Sequence, residues 1–244
     1  MSRHLAKVLF PFLPSARRKM MELSDLLLPN SQSEAEQLQR FFRVPKEKIK
    51  TVPNGVDPSF ADAKPDLFCS KYGIRDFVLT VGRIEPRKNQ LQMIRALKGV
   101  KIPYVIIGDP VTQYWDYYRC CQTESGSNVH FLSALRHDSP LLASSYAACK
   151  VFLLASWLET PGLAAMEAAL AGAKLVITNQ GAAPEYFQDF ASYVSPWSLS
   201  EIRETTLKAL SLPSSLDLKN HVALHYLWNE VAVRTQDCYR SLMF

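Results

Sequence analysis

The sequence predicts an α/β fold built on a parallel sheet with helices on both faces, and two observations carry that prediction. From residue 76 onward, short apolar runs rich in β-branched residues recur at 77–82, 103–108, 128–132, 151–155, 174–178 and 192–194. Helical patterns fill the gaps, at 88–98, 112–124, 138–147, 161–171 and 198–210. Strands that are apolar throughout and alternate with helices imply βαβ units wound right-handed into an open sheet buried on both sides. Sheets of this kind bind ligands at the carboxyl ends of their strands.

The segment before residue 76 stands outside this alternation. Residues 24–29 read as a strand, Ser31-Gln-Ser-Glu34 as a capping box that opens a helix through Phe42, and 48–52 as a second short strand closed by the turn Pro53-Asn-Gly-Val-Asp-Pro58. At the far end, 216–243 is helical in pattern, with Leu224, Leu227, Val231 and Tyr239 among its apolar positions. The expected organisation is one whole α/β domain at 51–215, preceded at 1–50 and followed at 216–244 by pieces of a neighbour.

A chain of 244 residues, 48% hydrophobic, is long enough for one sizeable core. Its net charge of +5 arises entirely in residues 1–50, where ten Lys or Arg face five Asp or Glu; the rest holds eighteen of each. Basic clusters such as Arg17-Arg18-Lys19 suit anionic lipid, an acidic partner or simply a solvated helix face, and no nucleic-acid module surrounds them. Pro11 and Pro14 break the opening apolar patch, which argues against a signal peptide, and no stretch has the length of a membrane span. Five cysteines without C-x-x-C spacing fit a reducing, cytoplasmic setting, at most peripheral to a membrane's inner face. His221 and His225 have helical spacing, but Val222 stands where a zinc-protease motif needs Glu, so no metal is expected.

The strongest functional signal is Glu167, the single charged residue of the run Pro161-Gly-Leu-Ala-Ala-Met-Glu-Ala-Ala-Leu-Ala171, with Glu159 eight positions upstream. An ionised carboxylate taken out of water without partners is costly, so something polar must meet it. Thr160 reads as the N-cap and Pro161 as the first helical residue. The free N–H groups around Gly162, Leu163 and Ala164 then lie between the two carboxylates. Unpaired amides and a helix dipole attract an anion such as phosphate, and a carboxylate a turn deeper accepts hydrogen bonds from hydroxyls. Phosphate with hydroxyls suggests a sugar nucleotide; the competing reading is a core carboxylate paired to an Arg or Lys.

After the first strand comes Val81-Gly-Arg-Ile-Glu-Pro-Arg-Lys-Asn89. Its Arg83 and Lys88 flank a strand-to-helix loop on the ligand edge, where two cations can neutralise a diphosphate leaving group. The glycines never form the G-x-G-x-x-G turn of a dinucleotide-binding oxidoreductase.

Taken together, Val52-Pro-Asn-Gly-Val-Asp57, Val81-Gly82-Arg83 with Lys88, the E-x7-E pair Glu159 and Glu167, and Gly181-Ala-Ala-Pro-Glu185 resemble the family-4 (group 1) retaining glycosyltransferases of the GT-B fold. The resemblance implies that this chain is the C-terminal half of a GT-B fold, its Rossmann-like, donor-binding domain. The residues up to 50 are then remnants of the N-terminal acceptor domain, and the terminal helix containing Trp228 is one that crosses back toward that domain. It further implies Arg83, Lys88 and Glu159 as catalytic residues, the first two holding the diphosphate and the third near the donor sugar. Gly82, Gly162, Leu163, Ala164 and Glu167 would bind the donor, with Glu167 on the ribose hydroxyls. A nucleoside-diphosphate sugar is the implied donor, with no cofactor or metal. Thr160-Pro161-Gly162 departs from the family's Gly-Phe-Gly, so one glycine of the loop is missing. The first domain's glycine-rich loop and acceptor-gripping residues have no counterpart before Ser24, so the chain is expected to be inactive without that domain or a complementary chain. A non-catalytic sugar-nucleotide-binding subunit is the alternative.

Overall fold

The computed structural model describes residues 16–243; the opening segment with Pro11 and Pro14 lies outside them. In chain order the elements are helices α1 (Ala16–Leu23), α2 (Gln32–Phe42) and α3 (Asp66–Tyr72), then strand β1 (Val78–Val81) with helix α4 (Gln90–Ala96), and β2 (Tyr104–Ile107) with α5 (Trp115–Glu124). They continue as β3 (Val129–Leu132) with α6 (Pro140–Ala148), β4 (Val151–Leu154) with α7 (Leu163–Leu170), β5 (Lys174–Thr178) with α8 (Ala183–Phe187), β6 (Ser192–Val194) with α9 (Leu199–Ser211), and finally α10 (Asp217–His225) and α11 (Trp228–Arg240).

The chain divides into two compact units, one of residues up to Gly55 together with Trp228–Phe244, the other Val56–Leu227. These boundaries fall later than the sequence pattern suggests at both ends. Val56 belongs to the larger unit because its N–H donates to the Tyr226 carbonyl at 2.8 Å, and Phe60 is buried in the core of that unit. Helix α10 belongs there too: Leu218 and Val222 are buried in the same core, and His221 Nε2 lies 2.9 Å from the Tyr186 carbonyl. The single helical pattern expected over 216–243 is therefore two helices, parted where residues 226–227 leave the helix and Leu227 bridges Val56.

In the smaller unit the capping signal is realised: the Glu34 N–H donates to Ser31 Oγ at 3.1 Å, while the Glu34 carboxylate accepts from the Asn30 N–H at 2.9 Å. The two strands expected at 24–29 and 48–52 reduce to one parallel bridge, Leu27 with Ile49, supported by a few backbone hydrogen bonds. Pro29 has no N–H to extend a ladder.

The larger unit holds the six-stranded sheet, in the order β3-β2-β1-β4-β5-β6 with every neighbouring pair parallel. All six strands lie within the predicted runs. Alternation along each strand divides the core in two. Leu79, Val105, Ile107, Phe152, Leu154 and Ile177 pack on one side with α3, α6, α7 and α10. Val78, Ile106, Val151, Leu153 and Val176 pack on the other, against residues of α4, α5 and α9 such as Met93, Cys121 and Ile202. An apolar stripe on both faces is what makes each strand uniformly hydrophobic in sequence.

The strand order reverses between β1 and β4, and it is at such a reversal that open sheets form a ligand crevice. β1 and β4 are in register only through Val78 with Val151 and Leu79 with Phe152. Beyond that point the buried Thr80 hydroxyl donates to the Leu153 carbonyl at 2.6 Å, so a side chain replaces the backbone ladder as the strands separate.

Candidate functional site

The loop after β1 enters the crevice and is pinned from several sides. Gly82 donates its N–H to the Ile107 carbonyl at 3.0 Å. The backbones are so close here that a Cβ on Gly108 would fall 2.0 Å from the Gly82 oxygen. The loop closes with a short turn, Pro86–Lys88, and with Asn89 in the left-handed region at φ 62°, a conformation Asn tolerates. The buried Asn89 amide donates to the Ala155 carbonyl at 2.8 Å and to the Pro196 carbonyl at 3.0 Å, tying the loop to the segments after β4 and β6. Gln90 Nε2 donates back to the Arg83 carbonyl at 2.8 Å, and the Trp157 N–H to the Arg87 carbonyl at 3.0 Å.

This framework delivers Lys88 to Glu159, with Nζ 2.6 Å from Oε1 and side-chain exposures of only 16% and 5%. Arg87 stands behind it, 3.9 Å from the same oxygen, and donates to the Leu158 carbonyl at 3.0 Å. Glu85 is buried and lies 3.2 Å from Arg83 and 3.4 Å from Arg87. The loop's four charges thus form a network rather than a solvated spray. Arg83 is the exposed arm of that network.

Glu159 is fixed through its backbone as well. Its N–H donates to the Gln180 carbonyl at 3.2 Å, and its carbonyl accepts from the Ala182 N–H at 2.9 Å, a parallel bridge to Gly181. Gly181, at φ 92°, makes that approach possible: a Cβ there would stand 2.0 Å from the Glu159 oxygen. Helix α7 follows, but its start differs from the sequence expectation. Thr160 and Pro161 lie outside it; Gly162 is the N-cap, at φ 70°, and Leu163 is the first helical residue. The left-handed step needs the residue without a Cβ, so the cap goes to glycine in preference to a threonine side chain. The N–H groups of Gly162, Leu163 and Ala164 have no acceptor among the described residues and lie at the positive end of the helix.

Glu167 sits in the second turn, 6% exposed. Its partners are neither Arg nor Lys. The Tyr146 hydroxyl donates to Oε2 at 2.6 Å, and His137 Nε2 lies 3.0 Å from Oε1. Burial raises the Glu167 pKa above the ordinary carboxylate value, against the opposing pull of the Tyr146 hydrogen bond and of His137. Burial, and then the charge of Glu167, pushes the Tyr146 phenol well above its usual range, which keeps it a donor. The Phe60 ring packs edge-on against both partners, 5.6 Å from His137 and 5.7 Å from Tyr146.

The structure therefore brings Gly82, Arg83, Lys88, Glu159, Gly162, Leu163, Ala164 and Glu167 to the carboxyl edge of the sheet, on the loops and helix that follow β1 and β4. Sequence reasoning missed four participants. Glu85 and Arg87 stood inside the quoted motif but looked solvated. Tyr146 had a readable signal, since a tyrosine in an apolar helix needs a partner for its hydroxyl. His137 had none. His221 and His225 lie elsewhere, with ring centroids 5.0 Å apart and planes tilted by 58°, beside Tyr226. Among the described residues no helix is long and apolar enough to cross a membrane.

Known proteins resemble this chain in sequence and in fold. The family model for glycosyl transferases group 1 matches residues 70–219, and that for glycosyltransferase family 4 matches residues 3–60. The D-inositol 3-phosphate glycosyltransferase of Stackebrandtia nassauensis is 28% identical over 65% of this chain, which spans 39% of that relative. A glycosyltransferase structure from Rickettsia africae superposes with a TM-score of 0.83 at 16% identity, covering 95% of this chain and 68% of that one. The Anabaena protein Alr3699/HepE, solved in complex with UDP, gives 0.76 at 22% identity, covering 91% and 64%. The chain thus spans only part of the curated relative, but with a six-stranded Rossmann-like sheet, GT-B neighbours and a family match over most of the sheet domain, it belongs to the group 1 glycosyl transferases.

Proposed function

We propose that this chain is the donor-binding portion of a retaining, metal-independent glycosyltransferase that moves a sugar from a nucleoside-diphosphate sugar to an acceptor, and that it is inactive without an acceptor domain or complementary chain. The observation that carries this reading is the meeting of Lys88 and Glu159 at 2.6 Å beside the unpaired amides that open α7. A diphosphate placed there gains the cations of Lys88, Arg83 and Arg87 together with the helix N-terminus. As the glycosidic bond breaks, negative charge develops on the leaving diphosphate, and cations already fixed in place stabilise it with little reorganisation. Glu159 stands next to the donor sugar. Glu167, one helical turn deeper, accepts the ribose hydroxyls. The Anabaena neighbour's bound UDP supports the choice of ligand class.

Titration of the purified chain with UDP, GDP and ADP tests the donor site, with at least one expected to bind in the presence of a chelator. Glu167→Gln should weaken that binding by about 1 to 3 kcal/mol, the range for a lost charged hydrogen bond. Unchanged affinity would remove the assigned role. A non-catalytic subunit would share this site; transfer activity on adding a group 1 acceptor domain separates the two.

A further inference from the structure

Glu167 is enclosed, with its side chain 8% exposed, and its two partners are unlike each other. Tyr146 is fully buried, fixed by Phe60 and Phe152 around its ring. His137 is not: its side chain is 67% exposed, it lies on the loop after β3, and its imidazole covers Oε1 of a carboxylate whose own side chain is 8% exposed. Two adjacent hydroxyls cannot both reach so small an edge with the imidazole in place. A cavity of about 480 Å³ adjoins His137, which lines it together with Ser59, Phe60, Asp62, Lys64 and Asp138. The ring thus has somewhere to go, and what it leaves behind is an accessible Oε1 already oriented by Tyr146.

We propose that His137 is a displaceable cap on Glu167, which the ribose of a nucleotide must push aside into the neighbouring cavity before its hydroxyls can bind. This rests on the donor-site reading above and adds to it a residue that sets affinity by competition with the ligand. The cap is held by one hydrogen bond and by the edge-on contact with Phe60 at 5.6 Å. The charges around it are Glu167 from α7, Asp57 ahead of the turn that carries Phe60, and Asp138 beside it, with Asp62, Lys64 and Asp66 along the cavity.

The test is calorimetric titration of the full chain and its His137→Ala and Glu167→Gln variants with the best-binding of UDP, GDP and ADP, and with the 2′,3′-dideoxy form of that nucleotide. His137→Ala should bind the ribonucleotide about fivefold more tightly than the parent, the equivalent of one net hydrogen bond no longer displaced. The dideoxy nucleotide, which has no hydroxyls to seat, should bind parent and His137→Ala alike. His137→Ala binding the ribonucleotide no tighter than the parent, while Glu167→Gln binds it more weakly, would overturn the cap and leave the donor site standing. Equal tightening for both nucleotides would overturn it as well, since competition for Oε1 requires the hydroxyls. Absence of binding by all three proteins would overturn the donor-site reading and the cap together. His137 is a surface side chain, so its replacement leaves the fold intact, which a thermal melt verifies.

Discussion

Glu159, on the loop ahead of α7, and Glu167, in its second turn, stand eight residues apart and are both buried, yet they are held by opposite means. Glu159 meets a cation, Lys88, at 2.6 Å, and has its backbone bridged to Gly181. Glu167 meets a phenol and an imidazole, with burial raising its pKa. The first carboxylate is a fixed counter-ion, whose charge is matched inside the protein. The second is left short of positive charge, as the hydroxyl-binding role proposed for it requires. A spacing pattern that looks symmetric in sequence therefore encodes two electrostatic roles.

The largest expected effect breaks the Glu159 side. Lys88→Met leaves a buried carboxylate with only the more distant Arg87, and should destabilise the larger unit by about 3 to 5 kcal/mol in denaturant unfolding. Adding Glu159→Gln should restore most of that stability without restoring nucleotide binding, because the cation is still absent. If the single variant unfolds like the parent, the ion pair is not holding the crevice together. Next is Gly181→Ala, which puts a Cβ into the Glu159 oxygen at a positive φ; a loss of about 2 to 4 kcal/mol is expected from clash and strain.

The Glu167 side is sharpened by a change of the opposite sign. Its folded pKa is raised above the unfolded one, so the native state binds the proton more tightly, and stability falls as pH rises from about 4.5 through the raised value. Glu167→Gln removes that penalty. The variant should therefore melt higher than the parent near pH 7, and the gain should vanish as pH is lowered to about 4.5. A parent that is the more stable at neutral pH would show that the Tyr146 and His137 contacts outweigh burial. The smallest effect is Arg87→Ala. Its side chain is 47% exposed, and a stability change within about 1 kcal/mol is expected, since solvent screens such pairs.

How much of this was legible in the sequence follows from what each feature depends on. The six strands were readable because both faces of the sheet are buried, which writes an unbroken apolar run into each. The short strands before residue 76 misled because Leu27 and Ile49 make a single bridge, too little structure to distinguish from extended loop by composition. The start of α7 was misplaced because Thr160-Pro161 has every local mark of a cap, while the choice of Gly162 depends on a φ of 70° that no side-chain rule anticipates. For the site, motif and spacing brought Lys88 and Glu159 to one edge of the sheet. The partners of Glu167 come from the loop after β3 and from α6, more than twenty residues away in sequence, and only packing brings them together. Burial alone could say that Glu167 needed a partner, not that the partner would be a tyrosine.

The hydrogen bond from Thr80 to the Leu153 carbonyl has a wider consequence. Where other strand pairs are zipped along their length, β1 and β4 are laced at their open end by one hydroxyl, which also lies 2.9 Å from the Tyr104 phenol oxygen. Beyond it the Asn89 amide, the Trp157 N–H and the Lys88–Glu159 ion pair continue the stitching between the two loops, so the hydroxyl is the first of a short series of ties. Exchanging that threonine for valine would keep the volume while leaving the buried Leu153 carbonyl and Tyr104 hydroxyl short of a partner, a way to loosen the base of the crevice without touching a group at the proposed donor site.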